Sequence, residues 1–204
     1  MRSASLSGAS TIVVDDLAII TPLARDAARQ LGVEFVRRAP AGPAPGSAAT
    51  RTLAIGSDHG GYEYKRQLTP FLRELGCHVD DVGTHSEKSC DYPDYAFKVA
   101  RAVASGKADL GVMIDGAGIG SAMVCNKVGG VRAACAYNEF TAWNARAHND
   151  ANVLTLGSRT LGIEVCKSIL RIFLTEAFEG GRHLKRVQKI DAALADRARS
   201  DRRH

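Results

Sequence analysis

A carboxylate that ends an apolar run and precedes three glycines is the part of this sequence best suited to chemistry. The run 110–114 (Leu-Gly-Val-Met-Ile) lacks polar alternation, as a buried parallel strand does, and Asp115 follows it. Gly116, Gly118 and Gly120 permit a tight turn and expose amide donors at the start of the next helix. Because ligands of open α/β sheets bind beyond the carboxyl ends of strands, Asp115 is predicted to lie in a site. A tight strand–helix turn without a ligand is the alternative.

Polar side chains also gather where other predicted elements meet. They are Asp58 and His59 after the first strand, Tyr92 after the second, His148 and Asn149 before the fifth, and Arg182 and Arg186 at the start of the last helix. Each has a structural alternative, such as capping a helix or lining a solvated face. We expect these residues to meet at one edge of the sheet, which favours a single site.

The elements that position these residues alternate between strand and helix. Strands are predicted over 53–57, 78–82, 110–115, 131–136 and 153–156. Helices are predicted over 62–75, 95–104, 121–127, 139–147, 163–177 and 185–198. This alternation predicts an α/β fold with a doubly wound, Rossmann-like five-stranded parallel sheet and helices on both faces.

A smaller segment precedes this domain. Residues 39–50 hold half of the six prolines and little that could fill a core, which predicts a semi-extended linker. The boundaries are therefore 1–38 for an N-terminal helical extension and 51–204 for the main domain with its basic C-terminal helix. Within the extension, Pro22 and Gly32 indicate the start and stop of a short amphipathic helix. Such a helix either docks on a partner or packs on its own domain.

Composition and charge limit the class of protein. No apolar run reaches the roughly 20 residues that span a bilayer, and no signal-peptide region is visible, so we expect a soluble, intracellular protein without a membrane partner. The net charge of +5 equals the excess of Lys and Arg over Asp in residues 182–204. This basic segment has no aromatic residues between its basic ones, as nucleic-acid-binding segments typically have. A nucleic-acid partner is therefore not expected. Five cysteines without C-x-x-C spacing argue against disulfides or zinc, and we expect them to be buried thiols.

Seven short motifs follow one another along the main domain. They are 54–61 (Ala-Ile-Gly-Ser-Asp-His-Gly-Gly), 91–93 (Asp-Tyr-Pro), 116–120 (Gly-Ala-Gly-Ile-Gly), 126–128 (Asn-Lys-Val), 131–133 (Val-Arg-Ala), 148–153 (His-Asn-Asp-Ala-Asn-Val) and 181–183 (Gly-Arg-His). In this order they resemble the type B ribose-5-phosphate isomerases and the related galactose-6-phosphate isomerase subunits. The resemblance extends from Leu53 to Asp191 and does not cover residues 1–50.

The resemblance implies an aldose–ketose isomerase without metal or cofactor. It implies a homodimer with each active site at the subunit interface, and a tetramer is the alternative. The sugar ring would open first, and a proton would then move between C2 and C1 through a cis-enediolate. Carried over by position, Asp58 and His148 would open the ring and Asn149 would orient the sugar. The remaining implied binding residues are His59, Arg182 and Arg186 for the phosphate, and Tyr92, Gly116, Ala117, Gly118 and Gly120 around the sugar and the enediolate oxygen.

The chain departs from the family pattern around the glycine loop. At Asp115 the family commonly has the cysteine that removes the C2 proton, while some members place a glutamate where this chain has Ser121. Ala117 also replaces the usual Thr or Ser. Either Asp115 is the base, or the substrate is another phosphorylated aldose (a tetrose, a hexose or a deoxy sugar), or the chain is a non-catalytic relative that binds sugar phosphates. The carboxylate at the base position favours an active enzyme over a non-catalytic relative. Ribose 5-phosphate is the substrate that the resemblance implies.

The extension has a resemblance of its own. Residues 20–26 (Ile-Thr-Pro-Leu-Ala-Arg-Asp), followed by the linker, are similar to segments that bring enzymes into bacterial microcompartments. This implies a shell or cargo partner for residues 1–38. The implied location is the cytoplasm, with the interior of a microcompartment as the alternative.

Overall fold

This computed structural model describes residues 11–15, 20, 22–38 and 50–200. The chain divides into two compact units, residues 1–47 and 48–204. The predicted linker lies outside the described residues as far as residue 49. Within the described residues, no helix combines the length and the apolar character needed to cross a membrane.

The described part of the N-terminal unit contains two parallel strands and a helix between them. β1 (Thr11–Asp15) pairs with β2 (Glu34–Arg38), and α1 (Pro22–Gln30) lies between them in the chain. The short helix predicted from Pro22 is therefore present. The strands were not predicted, although the β-branched run in β1 is a recognised strand signal.

The second unit is built on a parallel sheet. Its strands are β3 (Thr52–Ser57), β4 (His78–Gly83), β5 (Leu110–Asp115), β6 (Ala133–Cys135) and β7 (Val153–Gly157). Their order across the sheet is β4-β3-β5-β7-β6, and every pairing is parallel. The predicted doubly wound five-stranded sheet is confirmed. Only β6 is much shorter than predicted.

Helices follow the strands of this sheet. They are α2 (Tyr62–Glu74), α3 (Tyr92–Ala104), α4 (Ile119–Cys125), α5 (Glu139–Ala147), α6 (Ile163–Thr175) and α7 (Leu184–Ser200), with a short 3-10 helix at Gly181–His183 before α7. α3 starts three residues earlier than predicted. Pro93 lies in its first turn, where a missing amide proton costs nothing, and Asp91 is its N-cap.

The central strand β5 shows how both faces of the sheet are covered. Val112 and Ile114 point into a core with residues of α2, α5 and α6, while Met113 points into a second core with residues of α3 and α4. All three side chains are fully buried. Burial on both faces explains the continuous apolar run that predicted the strand.

The five free thiols differ in exposure. Cys125 and Cys166 are buried, as predicted. The expectation of burial is wrong for Cys77, Cys90 and Cys135, which are partly exposed. Cys90 lies in the segment before α3, and Cys135 is the last residue of β6.

Candidate active site

Asp58 begins the turn that links β3 to α2. Its amide donates to the carbonyl oxygen of Ile114 at 3.2 Å, and its Oδ1 accepts from the amide of Gly61 at 2.9 Å. The residue is 8% exposed. Asp58 is therefore held beside the end of β5. We call this side of the sheet, where β3 ends at Ser57 and β5 ends at Asp115, the carboxyl edge.

His59 and Tyr92 join this edge through the segment that leads into α3. Nδ1 of His59 lies 3.2 Å from the carbonyl oxygen and 3.3 Å from the amide nitrogen of Cys90. The ring of Tyr92 lies against Gly120, where an added Cβ would come within 2.7 Å of the ring carbon Cζ. The structure thus brings Tyr92 against the glycine loop 116–120, while Asp58 lies beside the end of β5 and His59 beside Cys90.

The carboxylate of Asp115 is fully engaged with this loop. Oδ1 accepts from the amides of Ala117, at 2.8 Å, and Gly118, and Oδ2 accepts from the amide of Ser121, at 3.2 Å, and from its hydroxyl. A carboxylate offers about four lone-pair sites, so these donors account for all of them. Asp115 is only 5% exposed. It therefore anchors the turn between β5 and α4.

This anchoring changes the expected role of the loop amides. The amides of Ala117 and Gly118 were predicted to face an enediolate oxygen, but both donate to Asp115 in this structure. Gly118 adopts φ +79°, a left-handed conformation that glycine tolerates, and this bends the amides inward. The expectation that these two amides are available to a ligand is therefore wrong for this conformation.

Cys125 lies at the end of α4, within the electrostatic reach of Asp115. Burial and, to a smaller extent, the negative charge of Asp115 together raise the pKa of its thiol to about 12. A thiol with such a pKa stays protonated near neutral pH and is a poor nucleophile or base. Cys125 therefore does not supply a thiolate in place of Asp115.

A second group of candidate residues surrounds the end of α5. His148 is the C-cap of this helix, and Asp150 follows with φ +45°, a conformation that Asp tolerates better than most residues. Arg132 and Arg146 hold the carboxylate of Asp150 at 2.8 and 3.1 Å. This ion-pair network fixes the turn that carries His148 and Asn149.

The ring of His148 is enclosed by aromatic and charged groups. It stacks on His183, with the ring centroids 4.0 Å apart and the planes 10° apart, and it meets the edge of Trp143 at 4.8 Å. Nε2 of His148 lies 3.5 Å from Glu179, and Nε2 of His183 accepts from Nε of Arg182 at 3.2 Å. Burial lowers the pKa of His183, a protonated His148 would lower it further, and so does the charge of Arg182.

His148, Glu179 and His183 could in principle bind a metal ion, since their ligand atoms lie within 4.8 Å of one another. Two observations disfavour this. Nearly parallel rings direct their nitrogen lone pairs side by side rather than toward one point, as tetrahedral coordination requires. In addition, Nε2 of His183 already accepts from Arg182. These residues fit a proton-handling or anion-binding cluster better than a metal site.

The two groups lie at opposite edges of the sheet. Helices of a parallel α/β sheet run against the strands, so His148, which follows α5 and precedes β7, lies at the amino edge, where β5 begins at Leu110 and β7 begins at Val153. Glu179, which follows the end of α6, lies at the same edge as the end of α5, since its amide donates to the carbonyl oxygen of Ala147. The expectation that all candidate residues meet at one edge is therefore wrong.

The distance between the edges is substantial. β5 has six residues, and at about 3.3 Å per residue the strand separates the edges by about 17–20 Å. Asp58, His59, Tyr92 and Asp115 lie at the carboxyl edge, whereas His148, Asn149, Arg182 and Arg186 belong to elements of the amino edge. Within one chain, these two groups cannot contact the same small molecule.

Sequence reasoning missed several residues of both groups. Ser158 donates from its hydroxyl to the carbonyl oxygens of Gly60, at 2.8 Å, and Asp115, at 3.0 Å, and Arg159 follows it beside Gly116. Their position directly after β7 is the same signal that identified Asp58. Glu179 and Asn144 had no such signal, because only the folded chain brings them to His148.

Comparison with known proteins decides the family. The family model described as Ribose/Galactose Isomerase matches residues 53–190, about two thirds of the chain. The chain belongs to this family. The predicted resemblance is confirmed, and the family match covers the sheet, both groups of candidate residues and the start of α7.

Relatives within the family carry different names. The chain is 43% identical over 142 residues to ribose-5-phosphate isomerase B of Escherichia coli, covering 70% of this chain and 95% of the relative. It is 37% identical over 140 residues to D-erythrulose-4-phosphate isomerase of Pectobacterium atrosepticum, covering 68% of this chain and 92% of that protein. The chain is therefore a member of a sugar-phosphate isomerase family.

Solved structures of the family have the same fold. The structure of Clostridium thermocellum ribose-5-phosphate isomerase B matches with a TM-score of 0.70 at 46% identity, covering 71% of this chain and 98% of that chain. The structure from Trypanosoma brucei matches equally well, with a TM-score of 0.70 at 44% identity, covering 71% of this chain and 99% of that chain. The match therefore spans nearly the full length of both solved chains.

Proposed function

We propose that this protein interconverts ribose 5-phosphate and ribulose 5-phosphate through a cis-enediolate, without metal or cofactor. The observation that carries the proposal is the match of residues 53–190, which include the whole sheet, to the Ribose/Galactose Isomerase family. The resemblance of their motifs assigns Asp58 and His148 to ring opening. The 43% identity to a ribose-5-phosphate isomerase B supports ribose 5-phosphate as the substrate.

The proposed active unit is a homodimer in which the carboxyl edge of one copy faces the amino edge of the other. The separation of Asp58 from His148 along the strands supports this, because one chain alone cannot assemble the predicted set. Exposed apolar side chains also support a partner surface, since Met123 on α4 is 63% exposed and Phe140 on α5 is 66% exposed. A tetramer built from two such dimers is the alternative.

In this proposal the furanose ring is opened by Asp58 of one subunit together with His148 of the partner subunit. Asp58 takes the proton of the O1 hydroxyl, and the O–H electron pair forms the C1=O1 double bond. The C1–O4 bond breaks with its pair on O4, where an N–H of the imidazole stabilises the charge. The proton then passes from Asp58 to O4, so no proton is gained or lost.

The isomerisation step is assigned to Asp115. Its carboxylate removes the proton from C2, the C–H pair forms the C1=C2 bond, and the former carbonyl pair moves to O1. Return of the proton to C1 and transfer of the O2 proton to O1 give the ketose. Three donors to Asp115 are fixed amides, whereas the Ser121 hydroxyl can rotate away. Release of this hydroxyl is the step that frees a lone pair on Oδ2.

The phosphate and the sugar are assigned to the remaining predicted residues. Arg182 and Arg186 of the partner subunit are exposed and four residues apart, so their guanidinium groups can bind a dianion together. His59 faces the same phosphate from the carboxyl edge, Tyr92 lines the sugar, and the partner subunit's Asn149 orients its hydroxyl groups. The loop residues Gly116, Ala117, Gly118 and Gly120 surround the reacting carbons.

Another phosphorylated aldose is the alternative substrate. The relative named D-erythrulose-4-phosphate isomerase supports a tetrose phosphate, and Ala117, which lacks a hydroxyl, supports a pocket different from that of the family pattern. Purified protein should be assayed with ribose 5-phosphate and with tetrose, hexose and deoxy sugar phosphates. Fastest turnover with ribose 5-phosphate supports the proposal, and preference for another sugar replaces the substrate. Binding without turnover of any of them indicates a non-catalytic relative.

For residues 1–38 the proposed role is interaction rather than catalysis. Leu31 and Val36 are 47% and 46% exposed, which leaves apolar surface for a partner. The proposed partner is a microcompartment shell or cargo protein, and the proposed location is the cytoplasm or the microcompartment interior. Residues 1–50 fused to a fluorescent reporter should form foci in cells that make shells. A diffuse signal in those cells contradicts this role.

A further inference from the structure

Two asparagines connect Asn149 to the ring of His148. Nδ2 of Asn149 lies 3.1 Å from the carbonyl oxygen of Asn144 and 3.1 Å from its side-chain Oδ1. Nδ2 of Asn144 lies 2.9 Å from Nδ1 of His148. An amide side chain has a donor end and an acceptor end, so the order of these contacts has a direction.

The backbone carbonyl oxygen fixes that direction. Because a carbonyl oxygen only accepts, the atom of Asn149 that reaches it is the NH2 group. The same NH2 group reaches the side chain of Asn144, which must present its oxygen there. The opposite end of Asn144 is then its NH2 group, and it donates to Nδ1 of His148. A neutral His148 therefore carries its proton on Nε2.

The surroundings of Nε2 agree with this assignment. Nε2 of His148 lies 3.5 Å from Oε2 of Glu179, an acceptor. The neighbouring ring of His183 accepts at Nε2 from Nε of Arg182, which only donates, so that ring is neutral with its proton on Nδ1. Two stacked rings 4.0 Å apart avoid charge repulsion when both are neutral.

We propose that Asn144 is a positioning residue that holds His148 in the Nε2–H tautomer. For its chemical consequence this inference rests on the proposed ring opening. The ring then offers an N–H donor to the sugar ring oxygen, which leaves Asp58 as the group that accepts the O1 proton. Asn144 touches neither the sugar nor the reacting atoms in this assignment, and it acts only through the imidazole.

The tautomer can be measured without any activity assay. Long-range ¹H–¹⁵N spectra of the ¹⁵N-labelled full-length protein separate protonated from unprotonated imidazole nitrogens, and loss of signals in His148→Gln identifies His148 among the six histidines. We expect Nδ1 of His148 to be unprotonated in the wild type. In Asn144→Asp, a carboxylate replaces the donor, and Nδ1 should gain a proton. Asn138→Asp makes the same charge change at the N-cap of α5 and should leave Nδ1 unprotonated.

The inference is overturned if Nδ1 is protonated in the wild type, or if it stays unprotonated in Asn144→Asp. In kinetics, a wrong tautomer should lower kcat at least about tenfold in Asn144→Asp with little change in KM, while Asn138→Asp keeps both constants. A protein inactive on every sugar phosphate contradicts the proposed function but leaves the tautomer result standing. The two failures are therefore distinguishable.

Discussion

Oδ2 of Asp115 accepts hydrogen bonds from both the amide and the hydroxyl of Ser121, the first residue after the glycine loop. This contact joins the two positions at which the motif resemblance implies a base of another type. The resemblance implies a cysteine at the position of Asp115 and, in some members, a glutamate at the position of Ser121. The proposed base and the anchor of the β5–α4 turn are therefore the same side chain, and experiments must separate the two roles.

The first prediction separates these roles by comparing two substitutions of Asp115. Asp115→Asn should lower turnover and C2 deuterium exchange of the sugar phosphate by about 10²–10⁴-fold, since the amide cannot take a proton. Asp115→Cys restores the family thiol and should recover part of the exchange, although a thiolate cannot hold four donors. Ser121→Ala should leave exchange unchanged or faster, because it frees Oδ2.

The control for these variants is the melting temperature. If Asp115→Asn and Asp115→Cys lose stability equally and both lose exchange, Asp115 is an anchor rather than the base. Wild-type exchange in a folded Asp115→Asn variant would remove Asp115 from the mechanism altogether.

A second prediction concerns the phosphate. Arg186→Ala should raise KM about 10- to 100-fold, because a charge-assisted hydrogen bond contributes about 1.5–3 kcal/mol. Arg186 is the cleaner choice, since Arg182 also donates to His183. Lys189→Ala removes the same charge from the same helix and should leave KM close to that of the wild type. Equal KM values for the two variants would contradict the assignment.

A third prediction concerns Lys65, which is only 1% exposed beneath the carboxyl edge. Its Nζ donates to Asp81 and, at 2.6 Å, to the carbonyl oxygen of Thr84. The amide of Thr84 in turn donates to the carbonyl oxygen of Ser57, the residue before Asp58. Lys65→Met should lower the free energy of unfolding by about 1.5–3 kcal/mol, measured by urea denaturation. Lys167→Met breaks a more exposed pair with Glu164 and should cost less than about 1 kcal/mol. Similar losses in the two variants would contradict the buttressing role of Lys65.

A fourth prediction follows from the lowered pKa of His183. As the pH falls, His183 takes up a proton at about pH 6.5 in the unfolded chain but only at a lower pH in the folded protein. The contribution of His183 to the free energy of unfolding is therefore complete above pH 6.5. Stability is lost as the pH falls through 6.5 toward the lower folded-state pKa. His183→Gln should flatten the fall of the melting temperature between about pH 7.5 and 5.5. His78→Gln, at an exposed position, should not, and equal slopes for wild type and His183→Gln would contradict the prediction.

All five strands of the sheet could be predicted from the alternation of strand and helix patterns in the sequence. The pattern of β5 is a continuous apolar run because this strand is buried on both faces. It also named the members of both groups as candidates, and their roles stay predictions. Their arrangement was predicted wrongly, although the direction of α5 shows that His148 must lie opposite Asp58. The partners of Asp115 could not be predicted, since they depend on the conformation at Gly118. Asn144 carries no sequence signal, because its role depends on distances formed only on folding.

The most direct test of the proposed two-copy active site is complementation between variants. Asp58→Asn and His148→Gln should each be nearly inactive on the best sugar phosphate, since each damages both sites of a homodimer. Hybrid dimers, isolated with two affinity tags, have one intact site and one doubly damaged site. An equal mixture should therefore recover about a quarter of wild-type activity, and pure hybrids about half. Hybrids as inactive as the parent variants would contradict a site divided between two copies of the chain.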